Sequence, residues 1–230
     1  MGNLKQIAKD LYCLESTLKM PGGIKLSLRT TLICLPGERL WAHSPVPLNP
    51  SQADQIRSLG NPAFVIAPNL FHHLYVGPFV DRFPDAKIYA PKDLNLKQPE
   101  LHFGGTLEEA SPNLWENEIQ FLPLLGMPKF NEWVFFHSNS KTLICSDLVF
   151  NLDHPRSTLE KIFWRINGGA GKPTATRLFG WMIKRPDLFS RSLSKVLDWP
   201  FDRVIMAHGK IIEARGAETL RQLYIRYLKV

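Results

Sequence analysis

The stretch "PAFVIAPNLFHHLYVGPFVDRFPDAKIYAP", residues 62–91, decides the fold. It begins with an apolar run typical of a buried strand, continues through a short helical segment, and ends in a second strand, "AKIYAP". Two adjacent histidines, His72 and His73, lie where the first strand ends. Adjacent side chains diverge on a strand or a helix, so a loop is needed to aim both at one point. The pair therefore indicates metal ligands, catalytic bases, or polar residues at the start of a helix.

Strands and helices alternate along the rest of the chain. Most segments up to Phe150 are β-rich, whereas "STLEKIFWRI", "ATRLFGWMIK" and "DLFSRSLSKVL" show apolar residues at helical spacing. A final strand, "FDRVIMA", precedes the helix "AETLRQLYIRYL". We predict a single α/β domain over residues 1–230, an αββα sandwich of two mixed β-sheets flanked by helices. Its halves, at about 1–150 and 196–230, would enclose a helical insertion at about 151–195.

The composition of the 230 residues, with 44% hydrophobic content, allows a full core in one domain. The three cysteines are far apart and form no C-x-x-C motif, which favours reduced thiols. The first residues contain no apolar core of a signal peptide, and no apolar stretch is long enough to cross a bilayer. We therefore expect a cytoplasmic protein without a membrane partner.

The charge is unevenly distributed along the chain. Residues 155–230 contain 15 Lys and Arg against 6 Asp and Glu, while the remainder has a small acidic excess. Such a basic region attracts an anionic substrate, nucleic acid or a membrane surface, although scattered charges are also typical of solvated helix faces. The alternatives stay open at this point.

Several apolar runs end in an imidazole or a carboxylate. Ligands of α/β proteins bind at the carboxyl ends of strands, and a strand end delivers a side chain to a rigid rim. Three or four imidazoles and one carboxylate form a set that zinc or iron accepts. The alternative for each residue is an ordinary hydrogen-bonded polar group at a strand end. The residues are His43, His72, His73, Asp147 and His208.

Three stretches give the chain a resemblance to the metallo-β-lactamase superfamily. Residues 62–91 resemble its strand, metal loop, helix and next strand, and "KTLICSDLVF" (141–150) is similar to the hairpin before its metal-bridging aspartate. "LDWPFDRVIMAHG" (197–209) resembles its last strand and terminal histidine. "WAHSPVP" and "LFHHL" are similar to signatures of an uncharacterised, divergent branch. The resemblance implies the metallo-β-lactamase-like fold and a metal centre.

The metal loop departs from the pattern of that superfamily, H-x-H-x-D-H. With the last histidine at His73, the aspartate position holds His72, and the two earlier histidine positions hold Leu70 and Pro68. The next histidine position holds Met127. The first of the two metal sites therefore lacks its ligands. The second site would retain a set of metal ligands that the resemblance implies, namely His72, His73, Asp147 and His208.

Two functions follow from this altered site. The first is a hydrolase in which one zinc or iron ion lowers the pKa of an attacking water to about 7. Asp147 would bind the ion or orient the nucleophile. His43 would be a fifth ligand or would hydrogen-bond to a ligand, and it would act as a base or position the leaving group. Its substrate would be a small, anionic molecule beneath basic and aromatic residues of 155–199, although those aromatics also fit an ordinary core. The second function is a non-catalytic relative that binds a ligand or partner. A nuclease is disfavoured, because phosphoryl transfer in such relatives uses two metals.

Overall fold

The computed structural model describes residues 2–115, 117–155, 157–168 and 171–228. The chain divides into two compact units. The first comprises Met1–Ser16 and Arg29–Gln120, and the second comprises Thr17–Leu28 and Phe121–Val230.

A seven-stranded mixed sheet dominates the first unit. Its strands follow each other in chain order, so that every strand pairs with its neighbour in sequence. β3 and β4 are antiparallel, whereas β4, β5, β6 and β7 are parallel. The far part of the β2–β3 hairpin belongs to the second unit. The strands are β1 (Lys5–Ala8), β2 (Leu11–Lys19), β3 (Lys25–Leu35), β4 (Arg39–His43), β5 (Asn61–Ile66), β6 (Lys87–Ala90) and β7 (Phe103–Thr106).

Three short helices connect the parallel strands of the first unit. They are α1 (Pro50–Arg57), α2 (Val76–Val80) and α3 (Asp93–Lys97). α1 begins with a capping box, in which Asn49 and Gln52 each bond the other's backbone N–H, and Pro50 takes the first helical position. These local signals explain why its start was predictable from sequence.

A four-stranded mixed sheet organises the second unit. The strand order is β11-β10-β9-β8, with β10 parallel to β11 and antiparallel to β9. Apolar residues of β9, β10 and α6 form one core cluster that includes Phe136, Leu143, Phe189 and Leu193. The strands are β8 (Ile119–Pro123), β9 (Trp133–His137), β10 (Thr142–Ile144) and β11 (Arg203–Ile205). The helices are α4 (Thr158–Asn167), α5 (Arg177–Met182), α6 (Pro186–Leu197), α7 (Gly216–Leu223) and α8 (Ile225–Leu228).

The predicted α/β class with two mixed sheets is confirmed, with local differences. The C-terminal segment predicted as one helix breaks at Tyr224, whose buried hydroxyl donates a hydrogen bond to the carbonyl of Leu148. β1 and α3 were not predicted. Cys13, Cys34 and Cys145 form no disulfide bond. Across the described residues, no helix combines the length and the apolar character needed to cross a membrane.

Candidate metal centre

Asp147 and His208 lie side by side at the carboxyl ends of two paired strands. β10 and β11 are parallel, and their register pairs Ile144 with Ile205. Asp147 is three residues beyond Ile144, and His208 is three residues beyond Ile205. The two strands therefore place both side chains at the same edge of the sheet, next to each other. His208 Nε2 lies 3.2 Å from Asp147 Oδ1. The structure places these two residues side by side, and their role as metal ligands stays a prediction.

The ring of His208 is held from its other side. Its Nδ1 lies 2.6 Å from the carbonyl oxygen of Ser27, and the neighbouring Gly209 N–H donates to Ser27 Oγ at 2.7 Å. The ring of Phe150 stacks on the imidazole, with 4.7 Å between centroids. A carbonyl oxygen only accepts, so Nδ1 carries a proton. In the neutral ring, Nε2 is therefore a lone-pair donor directed at Asp147.

This tautomer has a chemical consequence for the pair. A neutral imidazole Nε2 and a carboxylate oxygen are both acceptors, and 3.2 Å between them is unfavourable without a positive charge. A proton shared by the two groups relieves it, and so does a metal ion bound by both groups. Metal-binding histidines commonly donate their other N–H to a carbonyl in this way. The residues therefore fit a metal ion.

A buried carboxylate that sequence reasoning missed fixes the backbone of Asp147. Glu132 is fully buried just before β9. It accepts hydrogen bonds from Ser146 N at 3.0 Å, Ser146 Oγ at 2.9 Å and Asp147 N at 3.1 Å. These bonds hold the turn that follows β10 and so set the position of Asp147. An acidic residue directly before the apolar run "WVFF" was the only signal for it in the sequence.

In the first unit, His72 is bound by a serine at the end of β4. Ser44 Oγ lies 2.7 Å from His72 Nδ1. Ser44 has a φ of 52°, in the left-handed region that residues with a β-carbon rarely adopt. Its N–H donates to Ile66 O at 2.9 Å, and its carbonyl accepts from Thr30 Oγ1 at 3.2 Å. The unusual backbone turns the Ser44 hydroxyl toward His72 and so orients that ring.

The loop that carries the two histidines is fixed by Asn69. Its side-chain oxygen accepts from the N–H groups of Phe71 and His72, both at 2.8 Å. Lys97 donates to the carbonyl of Leu70 at 2.5 Å and lies over the ring of Phe71. The loop therefore has a defined conformation.

The surroundings of His73 lower its pKa. Burial lowers the pKa most, the positive charge of Lys97 lowers it further, the carboxylate of Glu100 opposes this, and nearby His72 lowers it as well. A lowered pKa favours the neutral imidazole, which is the form that binds a metal ion.

His43 is a buried, neutral imidazole. Its ring stacks on Trp41 with 5.7 Å between centroids, and burial, together with nearby His72, lowers its pKa to about 3. Such a pKa makes His43 a poor base at neutral pH, because catalytic bases work best with a pKa near the working pH. Its catalytic role stays a prediction, as does the convergence of all five predicted residues.

The positions that would hold the first metal carry no metal-binding side chains. Met127 packs in the core cluster of the second unit, and Pro68 and Leu70 flank Asn69 in the histidine loop. Of the aromatics predicted to cover a pocket, Trp164 is buried beside Phe150, whereas Trp181 is exposed.

The sequence model of one family, described as a domain of unknown function (DUF4336), matches residues 9–162. The chain belongs to the DUF4336 family. No curated protein matches its sequence. The match includes the first unit from residue 9 onward, Glu132, Asp147 and the first half of α4, while His208 lies beyond it.

Solved structures similar to this DUF4336 protein share its fold. A metallo-β-lactamase from Hirschia baltica is 11% identical, with a TM-score of 0.67 and coverage of 98% of this chain and 97% of the other. FIM-1 from Pseudomonas aeruginosa, in a mono-zinc form, is 13% identical (TM-score 0.62, coverage 97% and 95%). The metal-soaked Flv1 flavodiiron core from Synechocystis sp. PCC6803 is 13% identical (TM-score 0.65, coverage 99% and 60%). The fold is therefore the metallo-β-lactamase fold, and the predicted αββα class is confirmed.

Proposed function

We propose that this DUF4336 protein is a metal-dependent hydrolase that uses one zinc or iron ion bound by Asp147 and His208. The observation that carries the proposal is the fixed tautomer of His208, which directs an Nε2 lone pair at a carboxylate 3.2 Å away. The mono-zinc form of FIM-1, which has the same fold at 13% identity, supports a one-ion centre.

His72 and His73 are the other proposed ligands, as the superfamily resemblance implies. His72 has a feature expected of a ligand, because Ser44 Oγ lies 2.7 Å from its Nδ1 and orients the ring. When bound, the ion acts as a Lewis acid and lowers the pKa of an attacking water to about 7. The residues of the chain orient the centre: Ser27 fixes His208, and Glu132 fixes the backbone of Asp147.

A small, anionic substrate is the proposed partner. The excess of Lys and Arg in residues 155–230 supports it, because a positive field raises the local concentration of anions. We also propose a cytoplasmic location, which is supported by the three cysteines that form no disulfide. Fractionation of cells that express the full chain tests the location.

Metal analysis of protein purified without chelator tests the proposal most directly. We expect about one equivalent of zinc or iron per chain, not two, since Pro68, Leu70 and Met127 cannot build a second site. The loaded protein should hydrolyse some generic ester, lactone or phosphodiester substrates, and chelation should abolish this. A protein that cannot be loaded with zinc, iron or manganese near neutral pH would contradict the hydrolase.

The second candidate is a non-catalytic member that binds a ligand or partner. The apolar residues Leu70, Pro68 and Met127 at metal positions favour it, as does the low basicity of His43. It differs from the hydrolase in one measurable respect. A metal-loaded protein that binds small anions but turns over none of the substrate classes would be this second protein.

A further inference from the structure

Helix α4 is held in one orientation by its inner face. Trp164 is buried, and its ring lies 6.3 Å from that of Phe150. Glu160 completes the capping box with Ser157 and also accepts from Lys25 N at 3.3 Å. Because both inner residues are fixed, the outward direction of the opposite face is fixed as well.

That outward face is apolar. Positions three and four apart lie on the same side of a helix, and α4 exposes three aliphatic side chains at this spacing. α5, which contacts α4 in the same unit, exposes a leucine and a tryptophan three residues apart. We call these five residues the α4–α5 surface, and each is between 52% and 70% exposed. They are Leu159, Ile162, Ile166, Leu178 and Trp181.

Exposed basic side chains border the α4–α5 surface. The segment from Ser157 to Lys184 contains five Lys and Arg and a single acidic residue, the buried Glu160. Lys161 and Arg165 lie on α4 beside its aliphatic side chains, and Lys184 Nζ lies 4.7 Å from the centre of the Trp181 ring. Aliphatic residues and an exposed tryptophan between cations are the pattern of a helix that lies in the headgroup region of a membrane.

We propose that the α4–α5 surface docks this protein on a membrane that contains anionic lipids. Charge complementarity selects this occupant, because the cations bordering the apolar residues match a negative surface, each contributing to binding. An apolar patch made for a second copy of the chain would place these like charges opposite each other. Docking revises the expectation of no membrane partner and favours the membrane surface among the alternatives for the basic region. It does not depend on the proposed chemistry.

Vesicle binding by the full chain tests the proposal. We expect the protein to sediment with phosphatidylcholine vesicles that contain roughly one third phosphatidylglycerol, and not with phosphatidylcholine alone. Added salt should release it, because screening weakens attraction between exposed charges. Fluorescence emission should shift to shorter wavelength on binding, and the Trp181→Phe variant should lose most of this shift.

Two sets of variants locate the contact. The double variant Ile162→Ser/Ile166→Ser should bind at least about tenfold more weakly, because it removes the apolar part of the contact. Arg165→Gln should weaken binding about fivefold. Leu96→Ser, at an 85% exposed leucine of α3, is the matched control and should bind like the parent. Thermal unfolding of each variant verifies the fold.

Three outcomes would overturn the docking proposal. The first is the absence of vesicle binding, and the second is equal binding to both vesicle types that none of the α4–α5 variants reduces. The third is a dimer in solution that Ile162→Ser/Ile166→Ser converts to a monomer, which would assign the surface to a second copy of the chain.

Discussion

The Asp147–His208 pair of the second unit and the histidine loop of the first unit differ in how their side chains are positioned. Asp147 and His208 follow paired parallel strands whose register places them at one level. His72 and His73 belong to a loop, held by Asn69 and by a left-handed Ser44. The strand-borne pair matches what the superfamily resemblance implies, whereas the loop has exchanged its expected ligands. The register of paired strands thus fixes where the two side chains lie, whereas a loop allows its side chains to be exchanged.

The largest effect on metal affinity should come from a change in the Asp147–His208 pair. His208→Ala removes the imidazole that Ser27 orients, and we expect metal affinity to fall about 100-fold or more, since no flexible neighbour replaces it. The fold should survive, because the core strands pack without the ion. Calorimetric titration with zinc measures the affinity, and His102→Ala, at an exposed histidine, is the control. Unchanged affinity would remove His208 from the centre.

Loss of the hydrogen bonds by which Glu132 holds the backbone of Asp147 should give the next largest effect. Glu132→Gln places an amide N–H₂ where the carboxylate accepted, so we expect a loss of about 2 to 3 kcal/mol in the free energy of unfolding. Metal affinity should fall about tenfold as Asp147 shifts. Chemical denaturation and zinc titration measure the two. Glu213→Gln, at an exposed carboxylate, should change neither, and a Glu132 variant that loses stability alone would make Glu132 purely structural.

Protonation of His43 should weaken the fold in acid. The pKa is about 3 in the folded protein and about 6.5 in the unfolded chain, so the folded state binds fewer protons. The contribution of neutral His43 to the free energy of unfolding is therefore fully present above pH 6.5. It falls as the pH drops below that value, by about 2 kcal/mol at pH 5. Denaturation curves at pH 7 and 5 should show this loss, and His43→Gln should reduce the difference. An equal pH dependence in both proteins would contradict the low pKa.

Substitution of Ser44 should give the smallest effect, and it tests whether His72 of the loop is a metal ligand. Ser44→Ala and Ser44→Gly both remove the hydroxyl that bonds His72, so each should weaken metal binding about tenfold if His72 is a ligand. They should differ in stability by about 1 kcal/mol in favour of glycine, because the φ of 52° strains alanine. Zinc titration and thermal unfolding separate these effects. Parent-like metal affinity in both variants would exclude His72 as a ligand.

Strand ends and helix caps were predictable because residues close together in the sequence determine them. Asp147 and His208 each follow an apolar run, and the Asn49–Pro50 start of α1 satisfies its own backbone groups. Glu132 was not predictable, because its donors lie 14 and 15 residues away and no spacing rule links them.

Long-range contacts also explain the other differences. The stripe of α7 and α8 predicts one helix, but Tyr224 bonds the carbonyl of Leu148, 76 residues away, and the helix breaks there. The strand β1 has only four residues, none of them buried, so it carries no hydrophobic signal. The partners of His72 and His73 depended on the left-handed Ser44 and on Lys97, which the sequence does not reveal.

The pairing of β10 with β11 determines when the Asp147–His208 pair can form during synthesis. Asp147 leaves the ribosome before α4, α5 and α6, and His208 only after them. Until β11 is made, Asp147 lacks its neighbour, and Ser27 has no imidazole to orient. A nascent chain that ends before His208 therefore lacks one of the two side chains to which the proposed ion would bind.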